Sequence, residues 1–370
     1  MKPTTSRREF LARSATYSLG AIFIPKFLRA KKEWPLLGQG DFTYRVMPDW
    51  GLLNPSMTRV KDCHEMVQDK KGRLILFTNE TANNILIFDK SGKLLHSWGK
   101  EYPGAHGLTL SEEGDEEFLY LTDHDRHQVI KTTLEGRVLM TLDHPEETGF
   151  YPTRGWYKPT ETAIGPNGDI YVADGYGVDY IHQYDAKGNL IRSFGGPTHA
   201  WLVHRAKSHP GKFPAPTKKI AKDRSRVHNA HGVTLDTRDP NNPSLLVTSR
   251  IENKLKRFSL EGEFISDIPI PGAFVNRAVV KGKHIYASVL RSDRPSRDGT
   301  GFVTILDENN QVVSNPGGTA PVYQGKKLQQ IEQQHPVFVH PHDVCVDDDE
   351  NLYVPQWNSG KTFPIKLIRV

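Results

Sequence analysis

Short apolar runs alternate with turn-forming residues along most of the chain. In "ETAIGPNGDIYVADGYGVDYIHQYDAKGNLIRSFG" (161–195), four runs are separated by PNGD, GYGV and AKGN. Apolar residues at every second position, bounded by Gly, Asn and Asp, are typical of antiparallel strands that follow one another in a meander. The segment therefore predicts four consecutive strands.

The same formula occurs six times, in units that begin near residues 64, 106, 157, 231, 277 and 342. A repeat of about forty residues with four strands each predicts an all-β, six-bladed β-propeller over 61–370. The last unit is one strand short. The extended run "DFTYRVMP" (41–48), within a segment at 31–60, is otherwise unplaced, so we expect it to close the ring beside residues 365–370.

The first thirty residues have the layout of an export signal. Arg7 and Arg8 are paired and are followed by Phe10, Leu11 and a modestly apolar stretch, as in twin-arginine signals. We expect the twin-arginine machinery to export the protein to the periplasm or the exterior. The protein would stay anchored at the membrane if the signal is uncleaved.

The net charge of +5 comes from this same segment, which carries six cations and one anion. The rest of the chain has 42 basic and 42 acidic residues, so the electrostatic support for nucleic-acid binding is absent. We expect a monomer.

Two cysteines, Cys63 and Cys345, exclude a disulfide framework and predict two buried thiols or one bridge.

A histidine opens four of the six units. In a propeller the innermost strands line a central channel, so residues at matching positions form a ring. The histidines of units two, four and six, which are His106, His231 and His342, alternate around that ring. Three imidazoles that converge there suit a divalent ion, with Zn²⁺ the first candidate. The alternative is a set of polar side chains in a wet channel. The four histidines are His64, His106, His231 and His342.

Four further runs carry a resemblance: "HGLTL…LYLTDHDRHQVIK", "KPTETAIGPNGDIYVADGYG", "HGVTLD…LLVTSRIENKLKRF" and "PHDVCVDDDENLYV". They resemble successive blades of the NHL-repeat propellers, and among these of peptidyl-α-hydroxyglycine α-amidating lyases. The resemblance implies a metal-dependent lyase that cleaves a carbinolamide C–N bond to give an amide and glyoxylate. Its substrate would be a small molecule or peptide with a carboxylate.

The resemblance also implies residue roles. Zinc would bind His106, His231 and His342, whereas His64 has no counterpart and either supports a ligand or is a fourth ligand that closes the site. A structural calcium would use Asp343 and the Leu108 carbonyl, although the residues alone fit a hydrogen bond of Asp343 equally well. Tyr176 would be the general base, and Arg250 would hold the substrate carboxylate. From the residues alone, Tyr176 also fits a surface loop, and Arg250 an inter-blade salt bridge.

Two positions depart from the resemblance. Asn79 lies at the substrate rim where an arginine is expected, and Gly177 replaces a cysteine beside the tyrosine. A segment at 204–232 has eight Lys or Arg and one Asp, which predicts either a rim that attracts anions or a solvated basic loop. Two other functions stay open. One is a lactonase-type hydrolase using Glu65, Glu161 and Asp343, and the other is a non-catalytic propeller that binds peptide or glycan.

Overall fold

The computed structural model describes residues 35–47, 49–51, 59–293 and 299–370. The chain divides into two units, Met1–Trp34 and Pro35–Val370. The predicted export signal at 1–30 belongs to the first unit and lies outside the described residues.

The strands of the N-terminal segment and of the first three blades follow the repeat read from the sequence. In chain order they are β1 (Leu37–Gln39), β2 (Phe42–Met47), β3 (Cys63–Gln68), β4 (Leu74–Thr78), β5 (Ile85–Phe88), β6 (Leu94–Trp98), β7 (Ala105–Glu113), β8 (Glu116–Asp123), β9 (Gln128–Thr133), β10 (Val138–Leu142), β11 (Glu161–Ile164), β12 (Ile170–Ala173), β13 (Tyr180–Tyr184) and β14 (Leu190–Gly195).

Two helices and the remaining strands complete the described chain. They are α1 (His199–Ser208), α2 (Lys218–Lys222), β15 (Val233–Asp236), β16 (Ser244–Ser249), β17 (Lys254–Phe258), β18 (Phe264–Pro269), β19 (Ala273–Lys281), β20 (His284–Ser292), β21 (Phe302–Leu306), β22 (Val312–Ser314), β23 (Tyr323–Gln324), β24 (Lys327–Leu328), β25 (Cys345–Val346), β26 (Leu352–Val354) and β27 (Ile365–Arg369); 3₁₀ turns cover Glu146–Thr148, Arg154–Trp156 and Arg250–Glu252.

Six of the sheets in the described part of the chain are the blades of a β-propeller, and β23 and β24 form a separate two-stranded sheet. Blades one to five are β3–β6, β7–β10, β11–β14, β15–β18 and β19–β22, and blade six contains β25, β26 and β27. The first strand of each blade contacts the first strand of the next, and β25 returns to β3. These six strands therefore surround one channel, as the repeat predicted.

The N-terminal segment closes the ring. Strand β2 pairs antiparallel with β27, with Tyr44 opposite Arg369 and Met47 opposite Lys366, and β1 pairs with β2 in a hairpin. The closure predicted for 41–48 is confirmed. The N-terminal segment thus supplies the strand that blade six lacks and pairs with its outer strand, β27.

Apolar side chains between neighbouring blades form the core. Strand β4 is buried at all five positions, and the outer strand β6 is mostly exposed. Ile75 and Phe77 of blade one pack with Leu119 and Leu121 of blade two. The middle strands read as continuous apolar runs because both of their faces are covered.

Both cysteines lie in innermost strands, at the start of β3 and of β25, and both are free and buried. The structure therefore has two buried thiols and no bridge between them. Burial raises the pKa of each thiol, which keeps it protonated and unreactive.

No helix in the described part of the chain is long and apolar enough to span a bilayer.

Candidate active site

The four predicted histidines meet in the channel. His64 lies in β3 and His106 in β7, whereas His231 and His342 precede β15 and β25. The His106 ring centroid lies 5.0, 4.7 and 4.6 Å from those of His64, His231 and His342, respectively. All four side chains are at most 3 % exposed. The fold therefore brings together four imidazoles rather than three.

Backbone carbonyls set the protonation of three of these rings. The Nδ1 atoms of His106, His231 and His342 lie 2.7, 3.1 and 3.0 Å from the carbonyl oxygens of Thr160, Asn276 and His64. A carbonyl only accepts, so each Nδ1 donates its hydrogen. In the neutral rings each Nε2 is then an unprotonated atom with a lone pair that faces the channel.

Two of these lone pairs face each other. Nε2 of His106 lies 3.2 Å from Nε2 of His342, and no proton is available between them unless one ring becomes charged. Burial, and then the neighbouring histidines, hold the pKa of His106 well below its usual range, and the same causes lower the pKa of His342. Neighbouring nitrogens on a tetrahedral Zn²⁺ are about 3.3 Å apart, from Zn–N bonds of about 2.0–2.1 Å. The residues therefore fit a divalent ion.

His64 is the unexpected member of this group. Among the described residues, neither nitrogen of its buried ring has a hydrogen-bond partner, and burial lowers the pKa of His64 to about 3. A ligand nitrogen of His64 lies within 4.8 Å of those of His106 and His342. An unpaired buried imidazole is costly, and coordination of an ion would remove that cost. His231 is tied differently, because its Nε2 lies 3.0 Å from the Tyr176 hydroxyl.

A buried arginine occupies the neighbouring layer of the channel. Arg277 of β19 lies 3.2, 3.0 and 3.1 Å from carboxylate oxygens of Glu65, Glu161 and Asp343. It also donates to the Leu108 carbonyl at 3.3 Å. The guanidinium therefore joins residues of blades one, two, three, five and six.

Arg277 lies against the two residues to which the resemblance assigns a structural calcium, Asp343 and Leu108. The guanidinium donates to Oδ2 of Asp343 and to the Leu108 carbonyl, whereas Oδ1 of Asp343 has no hydrogen-bond partner among the described residues. The single positive charge of Arg277 offsets part of the charge of the three carboxylates. Burial lowers the pKa of Arg277, but attraction to Asp343, Glu161 and Glu65 outweighs it and leaves that pKa raised. Burial, opposed by Arg277 and assisted by Glu161, raises the pKa of Glu65.

Tyr176 lies above the histidines, on the loop that joins β12 to β13. Its hydroxyl is 3.0 Å from Nε2 of His231 and 3.2 Å from Nε2 of His106. It is 36 % exposed, so it faces both the channel and solvent. The phenol oxygen is therefore placed to exchange a proton with a ligand at the histidine cluster.

Asp174, which the sequence did not single out, holds this loop. Its carboxylate accepts hydrogen bonds from the backbone N–H of Lys158 and Val178, and from the Tyr151 hydroxyl at 2.9 Å. A Cβ at Gly177 would collide with the same carboxylate, so glycine is required beside Tyr176. Burial raises the pKa of Asp174 to about 8, against the hydrogen bonds that lower it.

Arg250 begins the 3₁₀ turn after β16 and lies beside Tyr176. Its Nη1 donates to Oδ1 of Asn276 at 2.8 Å, and its guanidinium carbon lies 5.8 Å from the Tyr176 ring centroid. The carbonyl of Asn276 also receives Nδ1 of His231. One residue thus positions both the arginine and a histidine. The inter-blade salt bridge considered for Arg250 is not found among the described residues.

The predicted rim residue Asn79 follows β4 and is bound to Asp62. Its Oδ1 accepts from the Asp62 N–H at 2.9 Å, and its Nδ2 donates to the Asp62 carboxylate at 3.1 Å. The corresponding position of blade two, after β8, is His124, which packs edge-on to His106 and Tyr176 at 5.9 and 5.7 Å. The sequence could have indicated His124 by its position after the second strand of its blade. Tyr176 and Arg250 have the same position in their own blades.

Comparisons with known proteins extend this description. No family model matches the chain. It is 38 % identical to peptidyl-alpha-hydroxyglycine alpha-amidating lyase 1 of Drosophila melanogaster over 118 residues. The aligned residues cover 31 % of this chain and 21 % of that protein. Over 290 residues it is 28 % identical to peptidyl-glycine alpha-amidating monooxygenase B of Xenopus laevis, covering 74 % and 27 % of the two chains. The chain is a propeller similar in sequence to amidating lyases.

The alignments span about half or less of these relatives. A probable amidating lyase of Caenorhabditis elegans is 28 % identical over 190 residues, 45 % of this chain and 51 % of that protein. Solved structures show the fold alone. A gluconolactonase of Xanthomonas campestris has a TM-score of 0.58 at 10 % identity, covering 91 % and 95 % of the two chains. A streptogramin B lyase has 0.52 at 14 %, covering 85 % and 95 %.

Proposed function

We propose that the protein is a metal-dependent lyase of the peptidyl-α-hydroxyglycine type. The observation that carries this proposal is the arrangement at the channel mouth, where unprotonated imidazole nitrogens face one another beneath the Tyr176 hydroxyl and beside Arg250. The sequence relatives named as amidating lyases support the reaction type.

His106 and His342 would hold the ion together with His64, His231 or both, and Zn²⁺ is the ion that suits such ligands best. When bound, it supplies Lewis acidity toward a substrate oxygen. An imidazole that binds the ion no longer accepts from Tyr176, so the phenol oxygen becomes available to the substrate.

The remaining steps use groups of this chain. Arg250 binds the carboxylate of the α-hydroxyglycine end with its planar fork. Tyr176 is the general base: after its own proton has passed to solvent, the phenol oxygen takes the proton of the carbinol hydroxyl, and the electron pair of that O–H bond forms the carbonyl of glyoxylate. The C–N bond breaks, and the proton on Tyr176 passes to the departing amide nitrogen. All atoms of the substrate are recovered in the amide and glyoxylate.

The lactonase alternative is disfavoured by the channel itself. A calcium ion of the lactonase type would need the carboxylate oxygens of Glu65, Glu161 and Asp343. These carboxylates surround Arg277 instead. We also propose the exported location and a monomeric state, as expected from the sequence.

Glyoxylate release from N-benzoyl-α-hydroxyglycine tests the proposed reaction. The full protein loaded with Zn²⁺ will release glyoxylate well above the spontaneous rate, and a sample treated with a chelator will not. Adding Zn²⁺ back restores release. A protein that binds one Zn²⁺ tightly and gives only the spontaneous rate would contradict the lyase and favour a binding propeller.

Removing the Tyr176 hydroxyl tests the proton transfer. Tyr176→Phe will lower kcat by a factor of about 10²–10⁴, the usual contribution of a general acid–base group, with zinc content unchanged. Tyr180→Phe is the matched control in the same blade. Its ring stacks on Phe150 at 4.0 Å, and it will keep full activity. Full activity of Tyr176→Phe would remove the tyrosine from the mechanism.

A further inference from the structure

A cavity of about 550 Å³ opens beside Tyr176. Its lining includes Tyr176 and Arg250 of the candidate active site and Trp201, His204 and Arg205 of α1. Helix α1 lies between blades three and four, and its second half begins the basic segment (204–232) identified from the sequence. The cavity is therefore lined both by the candidate active site and by an insertion.

Arg205 is presented to this cavity by a fixed helix. The Thr198 hydroxyl accepts from the Trp201 N–H and caps the helix, and Trp201 and Leu202 are buried against Val178. The Arg205 guanidinium carbon lies 5.1 Å from the ring centroids of both Trp156 and Trp201. Aromatic contact orients the planar group and leaves its N–H edge available.

The charge of Arg205 is not balanced by an ion pair among the described residues, and neither is that of Arg250. Asp179 is the one carboxylate among the residues that line the cavity. Its Oδ1 accepts from the Ala230 N–H at 2.8 Å, and the side chain is 1 % exposed. Two guanidinium groups against one buried carboxylate leave the cavity positively charged.

We propose that Arg205 is a second anion-binding residue, so that the cavity selects substrates with an anionic group on the acyl part. The proposed lyase function places the α-hydroxyglycine carboxylate at Arg250. The acyl chain then crosses the cavity beside Trp201, and its own carboxylate reaches Arg205. The substrate class is N-acyl-α-hydroxyglycines derived from dicarboxylic acids, or peptides with an acidic residue at the corresponding place.

Binding of unreactive analogues tests this inference independently of the lyase reaction. The probes are N-succinylglycine, N-glutarylglycine and N-adipoylglycine, which lack the hydroxyl that would react. Each is compared by calorimetry with its neutral terminal amide. We expect at least one diacid to bind about 10–100-fold more tightly than its amide, the usual strength of a charged hydrogen bond.

Variants locate the effect. Arg205→Ala will abolish the preference for the diacid and leave the affinity for the amide within about twofold of the wild-type value. Arg205→Lys will keep part of the preference for the diacid. Lys207→Ala removes a cation of the same helix that does not line the cavity, and it will keep the preference. Melting temperatures verify folding.

Equal binding of every diacid and its amide, or an unchanged preference in Arg205→Ala, would overturn the inference. A preference that persists in a protein with no glyoxylate release would leave this site standing and reject the lyase instead.

Discussion

Arg277→Met will lower the free energy of unfolding by about 3–5 kcal/mol, the range for breaking a buried ion pair from one side. The variant leaves Glu65, Glu161 and Asp343 buried without the cation that now lies within 3.2 Å of each. A fall of roughly 10 °C in the melting temperature is expected for a chain of this size. Thermal and urea unfolding measure both quantities.

Calcium distinguishes this variant from other destabilised ones. Three carboxylates and the Leu108 carbonyl would surround an empty place of the kind that Ca²⁺ prefers. Millimolar Ca²⁺ will therefore raise the melting temperature of Arg277→Met but not that of the wild-type protein. Arg238→Met is the matched control. It also breaks a buried pair, with Asp236 at 2.8 Å, but leaves one carboxylate, and calcium will not restore it.

The destabilisation of Arg277→Met also depends on pH. Burial already raises the pKa of Glu65 in the folded state, and losing Arg277 raises it further. A carboxyl whose folded pKa lies above the unfolded one stabilises the protein at low pH and loses that contribution as pH rises. The deficit will be smaller at pH 5 than at pH 8. An unchanged melting temperature, or equal calcium stabilisation of wild-type protein, would refute the role of Arg277.

The sequence predicted the blades but not the interior of the channel. The repeat and the closing strand depend on turn residues and apolar runs that are local in the chain. Arg277 lies in "NRAVV", a run that gives no sign of its partners, because they come from blades one, three and six. The side chain that fills a channel is determined by how far it extends across the channel axis. The repeat pattern of the sequence does not indicate that distance.

The histidines show the same division. Their matching positions predicted that the rings would meet, and they do. The pairing within the cluster was not predictable, since it depends on which carbonyl each Nδ1 reaches. The sequence showed that Asn79 stands where the resemblance implies an arginine. It did not show that Asn79 is hydrogen-bonded to Asp62 or that His124 packs against Tyr176.

Single alanine substitutions of the four histidines will separate the ligands from their supports. His106→Ala and His342→Ala remove the pair whose Nε2 atoms lie 3.2 Å apart. Each will leave less than about 0.1 equivalent of zinc after dialysis, because only one nitrogen of the closely spaced pair remains to hold the ion. Glyoxylate release will fall about 10³-fold or more.

His64 and His231 are expected to differ. Since both nitrogens of His64 lack a partner among the described residues, we expect its loss to weaken zinc binding by about 100-fold or more. The hydrogen bond of His231 to Tyr176 predicts that His231→Ala weakens binding less and lowers kcat more. Competition with a chromogenic chelator measures the affinities, and steady-state kinetics measures kcat.

A buried histidine outside the cluster provides the control. His182 bonds Tyr151 and Ser193, and burial lowers its pKa to about 3, as for His64. His182→Ala removes a similar ring and will leave zinc affinity unchanged even where it lowers stability. If His64→Ala behaves like His182→Ala, with affinity within about threefold of wild type, the ligands are His106, His231 and His342, as the resemblance implies. If it loses the ion, the channel holds the ion through His64 as well, and the histidine to which the resemblance gives no counterpart becomes part of the metal site.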